Sequence, residues 1–323
     1  PPRNLPPRNL PPRNLPPRTN NSLHSPRIEL GFLKFSLLSL IFSCTIIMSE
    51  ITKEKVVELR EKTGAGLIDC KRALTESGGD MEQAVSILRK KGVATAAKKA
   101  GREAAEGVIA CKLSEDGGSG VIVEVNCETD FVAKNDDFQA FADEVASILL
   151  SNPDADLEDK RTEQVAKIGE NIRISRSETI SPDASGRVES YIHTGGKVGV
   201  LLVLSTESEQ GAAHEETMSL AKDLCMQVAA TSPVCVSRDD MPEEVVSKER
   251  DIAAAQAEGK PPQAVEKIIE GKLEKFYAGS CLEEQSFVKN PDQTIKALLA
   301  EKAQLVGESL GIERFTRLQI GES

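Results

Sequence analysis

The feature that most constrains this chain is a pattern that occurs twice. EGVIACKLSEDGGSGVIVEVN (106–126) reads as two alternating strands around a glycine turn, and a helix follows at 136–150. GRVESYIHTGGKVGVLLVLST (186–206) again reads as two strands, here around Gly195-Gly196, followed by a helix in HEETMSLAKDLCMQVAAT. The repetition predicts an α+β fold with a core of two duplicated subdomains, each an antiparallel sheet with a covering helix. KIGENIRISRSETI adds one more strand, roughly 171–180. Aromatic residues make up 3% of the chain and Trp is absent, so the cores must be built from Val, Ile, Leu and Ala.

Helical segments flank this core. Residues 52–91 read as three short helices broken at TGAG (63–66) and GGD (78–80). In the third, Asp80 is the expected N-cap with Gln83 completing a capping box, and Gly92 is the expected stop. Its apolar stripe is Met81, Ala84, Val85 and Leu88. ATAAKKAGREAAE (94–106) reads as a connector. At 242–278, Pro242 with Glu243 and Glu244 opens a helix, GKPP (259–262) turns it, and a second helix returns, making a projecting hairpin. A helix starting at Asn290-Pro291 and a closing strand, IERFTRLQIGE, end the chain. The expected organisation is 49–93 as a three-helix N-terminal domain, 94–185 as the first core subdomain with its linker, 186–300 as the second with the hairpin, and 301–323 as a C-terminal helix-strand module.

Residues 1–47 differ from the rest. PPRNLPPRNLPPRNLPPRT is a repeat that cannot bury a core, and GFLKFSLLSLIFSCTIIM is an apolar run broken by Lys34. An export signal or anchor is one reading. The other is that the segment lies outside the working protein and that Met48, where globular patterning begins, is the natural start.

The net charge of −11 argues against broad phosphate-backbone binding, so nucleic acid is not an expected partner. The segment 1–47 carries six basic residues against Glu29 alone, which leaves the body more acidic still. Seven scattered cysteines without a C-x-x-C pair favour reduced thiols in a cytoplasm, and three distant histidines form no ligand cluster. No metal or cofactor is expected. The Gly-Lys pairs at 196–197, 259–260 and 271–272 all fail the phosphate-loop pattern, and there is no G-x-S-x-G or H-E-x-x-H. The chain does not read as an enzyme.

Three features remain. Phe131, in CETDFVAKND, lies between a strand and a helix. It either staples the following helix into the core or is displayed as an apolar wedge beside Asp130. His193, at a hairpin tip, either caps turn backbone or contacts a partner. Ile168-Gly169, in KIGENI, reads on pattern alone as a strand entry.

ELREKTGAGLIDCKRAL (58–74), EVNCETDFVAKNDDF (124–138), KIGENI (167–172), YIHTGGKVGVLL (191–202) and CLEEQSFVKNPDQTIKALL (281–299), in this order, resemble the bacterial elongation factor Ts family. Leu67-Ile68 departs from it, since members often carry methionines there. Residues 1–47 have no counterpart. The resemblance implies a ubiquitin-associated-type N-terminal domain, a coiled-coil hairpin, and guanine-nucleotide exchange on elongation factor Tu in the cytoplasm. It implies that Thr129, Asp130, Phe131 and Val132 disturb the Mg²⁺ site of that partner, with Phe131 as the wedge. It also implies that Ile168, Gly169 and His193 are further contacts, His193 on the phosphate-loop side. A passive adapter, and an exported or membrane-anchored protein, are the competing expectations.

Overall fold

The computed structural model describes residues 51–322; the expectations for 1–47 and for Met48 lie outside the described residues. Strands β1 (Glu106–Leu113), β2 (Gly120–Cys127) and β3 (Arg173–Ile180) form one antiparallel sheet in that order. Strands β4 (Gly186–Ile192), β5 (Val198–Ser205) and β8 (Gly311–Gln319) form the second, with β5 central. The central strands, GVIVEVNC and VGVLLVLS, are near-continuous runs rather than strict alternations, as strands covered on both faces require. Val121, Val123 and Val125 of β2 pack on Phe138, Phe141 and Val145 of a helix at 136–151. Ile122 points the other way and meets Val188, Leu201 and Val203 of the second sheet. Val200, Leu202 and Leu204 of β5 pack outward on Leu220, Leu224 and Val228. The layers therefore run helix, sheet, sheet, helix, an α+β sandwich with antiparallel sheets.

The duplication continues past the hairpins. In the first half β2 leads into α4 (Asp130–Ala133), α5 (Asp136–Ser151), α6 (Glu158–Ile168) and then β3. In the second half β5 leads into α7 (Glu209–Ala212), α8 (Glu215–Thr231), an inserted segment, α11 (Ile295–Val306) and then β8. Each edge pairing has a register irregularity at the same place, Glu124/Val125 in the first half and Val203/Leu204 in the second. Contacts between the halves are reciprocal. The Val188 amide donates to Gly117 O at 2.8 Å, and the Ile109 amide donates to Gly196 O at 2.7 Å. Val188 and Ile109 occupy matching strand positions, as do the two turn glycines, so the halves meet about a pseudo-twofold axis, as in an isologous dimer.

Before this core stand α1 (Lys53–Thr63), α2 (Leu67–Glu76) and α3 (Met81–Lys99), packed around Leu59, Cys70, Ala73, Leu74 and Ala84. Asp80 caps α3, its carboxylate accepting from the Gln83 amide at 2.8 Å. Gly92 does not stop α3, which runs on to Lys99 through most of the expected connector, so the boundary drawn at 93/94 falls inside a helix. Gly92 is buried, and a Cβ there would stand 3.4 Å from the Ala166 Cβ of α6. That is ordinary van der Waals contact, so Gly92 is a packing position inside the helix and not its end.

Three further expectations are corrected. The sequence reading assigned no helix at 158–168; α6 lies there, and Ile168-Gly169 is its C-terminus, not a strand entry. Its polar surface, EDKRTEQVAKI, buries only Thr162, Gln164 and Val165, which leaves a weak apolar stripe. Asn290-Pro291 does not open the last helix but lies in β7 (Asn290–Thr294), paired with β6 (Ser286–Phe287). Thr294 supplies the cap, accepting from the Ala297 amide at 3.2 Å. The boundary drawn at 300/301 falls inside α11. The hairpin is α9 (Glu243–Gln256) packed on α10 (Pro262–Ser280). Among the described residues no helix is long and apolar enough to cross a membrane.

Candidate functional site

After β2 the chain turns through Glu128 and Thr129 into the single turn of α4. Thr129 is extended (φ −129°, ψ 153°) and its hydroxyl accepts from the Val132 amide. Asn135 then caps α5, accepting from the amides of Asp137 at 2.9 Å and Phe138 at 3.3 Å. Between the two caps the residues divide by direction. Ala133 is buried, Val132 packs against the core, and Phe131 stands 82% exposed. The staple alternative for Phe131 therefore fails. Phe138, fully buried, is the phenylalanine that fills the core here.

The turn is held from the side by α6. Gly169 ends that helix in the left-handed region (φ 85°), where a residue with a Cβ is strained, and reverses the chain toward β3. This brings the Glu170 carboxylate under the turn. One oxygen accepts from the Glu128 and Thr129 amides, both at 3.0 Å, and the other accepts from the Thr129 hydroxyl at 2.7 Å. In return the Glu128 carboxylate accepts from the Asn171 amide at 2.6 Å, and that bond holds its pKa below the usual glutamate value. Lys99 donates to Gly169 O, and the Asn171 side chain donates to Arg102 O at 2.8 Å. Ile168 and Gly169 are thus tied directly beside Thr129.

Asp130 pairs with Lys134 at 2.8 Å, and this bond keeps its carboxyl below the usual aspartate range. Both side chains are well exposed, so the pair adds little stability. Lys197, from the β4–β5 turn, pairs with Glu106 and adds its positive field at Asp130. The same turn carries His193, which is exposed, with its ring nitrogen 3.1 Å from the Tyr191 hydroxyl. Its amide donates to Val198 O at 2.9 Å, closing the turn. A groove of about 440 Å³ separates His193 from Gln139 and Asp143 of α5. Gln139 in turn donates to Ala133 O at 3.3 Å, at the end of α4. All seven predicted residues thus lie on connected elements.

Nothing in this cluster resembles an activated nucleophile. Burial pushes the nearby Cys111 and Cys127 thiols up to about 12. Among the described residues no group of three His, Cys, Asp or Glu could hold a metal ion. What the arrangement offers is an exposed apolar side chain on a held backbone turn, beside a partly exposed carboxylate.

The family model for "Elongation factor TS" matches residues 128–322, starting at the turn that carries Phe131. The elongation factor Ts of Clostridium botulinum (strain Alaska E43 / Type E3) is 45% identical over 288 residues, covering 84% of this chain and 93% of its own length. The chain belongs to the elongation factor Ts family. The elongation factor Ts of Symbiobacterium thermophilum is 46% identical over 284 residues, covering 85% of this chain and 93% of its own. That of Prosthecochloris aestuarii is 43% identical over 293 residues, covering 85% of this chain and all of its own. Membership makes this a translation elongation factor.

In this member of the elongation factor Ts family, the residues that hold the turn are not marked as site residues in the sequence. Glu128, Glu170, Asn171 and Lys197 lie inside the stretches 124–138, 167–172 and 191–202 but are not singled out there as site residues. A signal was nonetheless present: Gly-Glu follows a helix twice, at 169–170 and 307–308.

Proposed function

We propose that the chain is a guanine-nucleotide exchange factor for elongation factor Tu. It would bind the GDP form, promote GDP release and allow GTP to rebind. The observation that carries this reading is the 82% exposure of Phe131 on a helix fixed by caps on both sides and by Glu170 beneath. A buried phenylalanine would support no such role, whereas an exposed one on a held turn leaves only its own side-chain torsions to be ordered on docking. Phe131 acts as the wedge near the partner's switch region, and Asp130 perturbs groups that hold its Mg²⁺. Thr129 and Val132 set the turn, while Ile168, Gly169 and His193 widen the contact, His193 toward the phosphate loop. Without the metal the phosphates' charge is uncompensated and GDP is held less tightly.

No catalytic group is required, because exchange is coupling: factor and nucleotide each weaken the other's binding by the same factor. The Mg²⁺ belongs to the partner, so the chain needs no cofactor of its own. The three-helix unit acts as a ubiquitin-associated-type module that, with the C-terminal helix-strand module, supplies anchoring area rather than exchange, and the α9–α10 hairpin is a coiled-coil arm. The setting is cytoplasmic, without nucleic acid or membrane as partner. Release of fluorescent GDP from elongation factor Tu, with and without the chain, tests the proposal. Acceleration is expected, and an unchanged rate overturns it.

A further inference from the structure

The structure assigns Glu170 as the positioning residue that holds the Phe131 turn, through a reciprocal carboxylate clasp with Glu128. This inference rests on the exchange reading only for its functional consequence. The clasp itself is geometric: Glu170 accepts three hydrogen bonds from Glu128 and Thr129, and Glu128 accepts one from Asn171. Each chain segment supplies the acceptor for the other's amides, so neither can shift without orphaning the other. The Thr129 hydroxyl is occupied on both sides, donating to Glu170 and accepting from Val132. Bonds from amides to a carboxylate are charge-assisted and stronger than neutral ones. A one-turn helix has too few internal bonds to hold its own direction. Its orientation, and that of Phe131, must therefore come from outside it, and Glu170 is the outside group that bonds its cap.

An independent observation supports a positioning device. The second half of the molecule carries the same clasp in the same place. Gly307 ends α11 at φ 84°, and the Glu308 carboxylate accepts from the Ser208 hydroxyl at 2.7 Å and the Glu207 and Ser208 amides at 3.3 and 3.4 Å. Glu207 in return accepts from the Ser309 amide at 3.3 Å. The helix it holds, α7, presents Gln210 where α4 presents Phe131. The clasp is thus a property of the scaffold, and only one copy is armed with an aromatic side chain. That makes Glu308 an internal control for Glu170.

The test compares Glu170→Ala, Glu170→Gln and Glu308→Ala in the full chain. Amide hydrogen exchange is read at 128–133 and 207–212, and partner affinity and GDP release from elongation factor Tu are measured separately. For Glu170→Ala, the Glu128 and Thr129 amides should exchange about tenfold faster or more. Partner affinity should stay within about threefold while maximal release slows about tenfold, because a small misplacement of a reacting contact is costly. Glu170→Gln keeps an acceptor oxygen for the amides and should recover most of both losses. Glu308→Ala should deprotect 207–212 and leave release unchanged. Unaltered protection at 128–133 in Glu170→Ala overturns the clasp, and lost protection with wild-type release overturns the positioning role. Equal loss of release in Glu308→Ala would reduce Glu170 to general stability. If the unmodified chain does not accelerate release, the exchange reading fails while the protection data still decide the clasp.

Discussion

The two halves of the core share strand order, bulge position, a short capped helix, a longer covering helix and a carboxylate clasp, yet they face outward differently. At matching positions the first half has Thr129, Asp130, Phe131 and Val132, and the second has Ser208, Glu209, Gln210 and Gly211. The caps and acids are chemically alike; the aromatic is not. Gly211 leaves room for Glu308 to lie across the short helix, since a Cβ there would stand 1.5 Å from its carboxylate oxygen. In the first half Val132 occupies that place and packs on the core. The difference separates what the fold needs from what the surface adds: the clasp is common to both halves, and the exposed Phe belongs to one.

The largest expected effect tests whether the halves are equivalent in energy as well as in shape. Ile122 and Leu201 occupy matching positions, fully buried, and pack across the pseudo-twofold axis. Truncating either to Ala should cost about 2–5 kcal/mol by urea denaturation, and the two costs should agree within about 1 kcal/mol. A large asymmetry would mean that one half carries the interface alone. Next comes the surface. Phe131→Ala should slow GDP release by about thirtyfold with thermal stability unchanged, as expected for an exposed anchor residue. Gln210→Ala should alter neither, and equal effects at the two positions would break the distinction drawn between them.

Gly211→Ala should expel the Glu308 carboxylate and cost about 1–2 kcal/mol, read by denaturation, with release unaffected. The smallest effect is electrostatic. Glu128 has its native pKa lowered by the bond from Asn171. Its stabilising contribution is therefore complete above the unfolded value of about 4.3 and is lost as pH falls through the lower native value. Asn171 amide protection, followed by hydrogen exchange on acidification, should persist below pH of about 4.3 before it declines.

The strands were legible because both hairpins set alternating, strand-like sequence around glycine turns, while the near-continuous runs of β2 and β5 reflect cover on both faces. The third element of each sheet was read from RISRSETI and IERFTRLQI, but their roles as partners of β2 and β5 were not, since pairing is non-local. Helix α6 escaped notice because three of its residues suffice to bury it, and α3 was cut short because Gly92 carries the usual mark of a helix end. At the site, Phe131 stood out as a large apolar residue in a junction, yet its direction was undecidable. Seven residues on, Phe138 has a similar setting and is buried. The cap geometry that separates them depends on Glu170, which lies far along the chain.

The hairpin α9–α10 leaves and rejoins the second half through a single narrow doorway. The Val234 amide donates to Ser280 O at 2.8 Å, and the Leu282 and Glu283 amides donate to Cys235 O and Val236 O at 3.0 and 3.1 Å. Cys235 and Cys281 stand side by side in that stem, their sulfurs 3.7 Å apart. The first half makes the corresponding journey from α5 to α6 in the few residues 152–157. With the ends of the arm already stitched together, its length is decoupled from the sandwich beneath, because closing a longer loop costs only slightly more than closing a shorter one. The arm is a tunable attachment: it can lengthen, shorten or change its reach across generations of the sequence while the clasped turns stay in register.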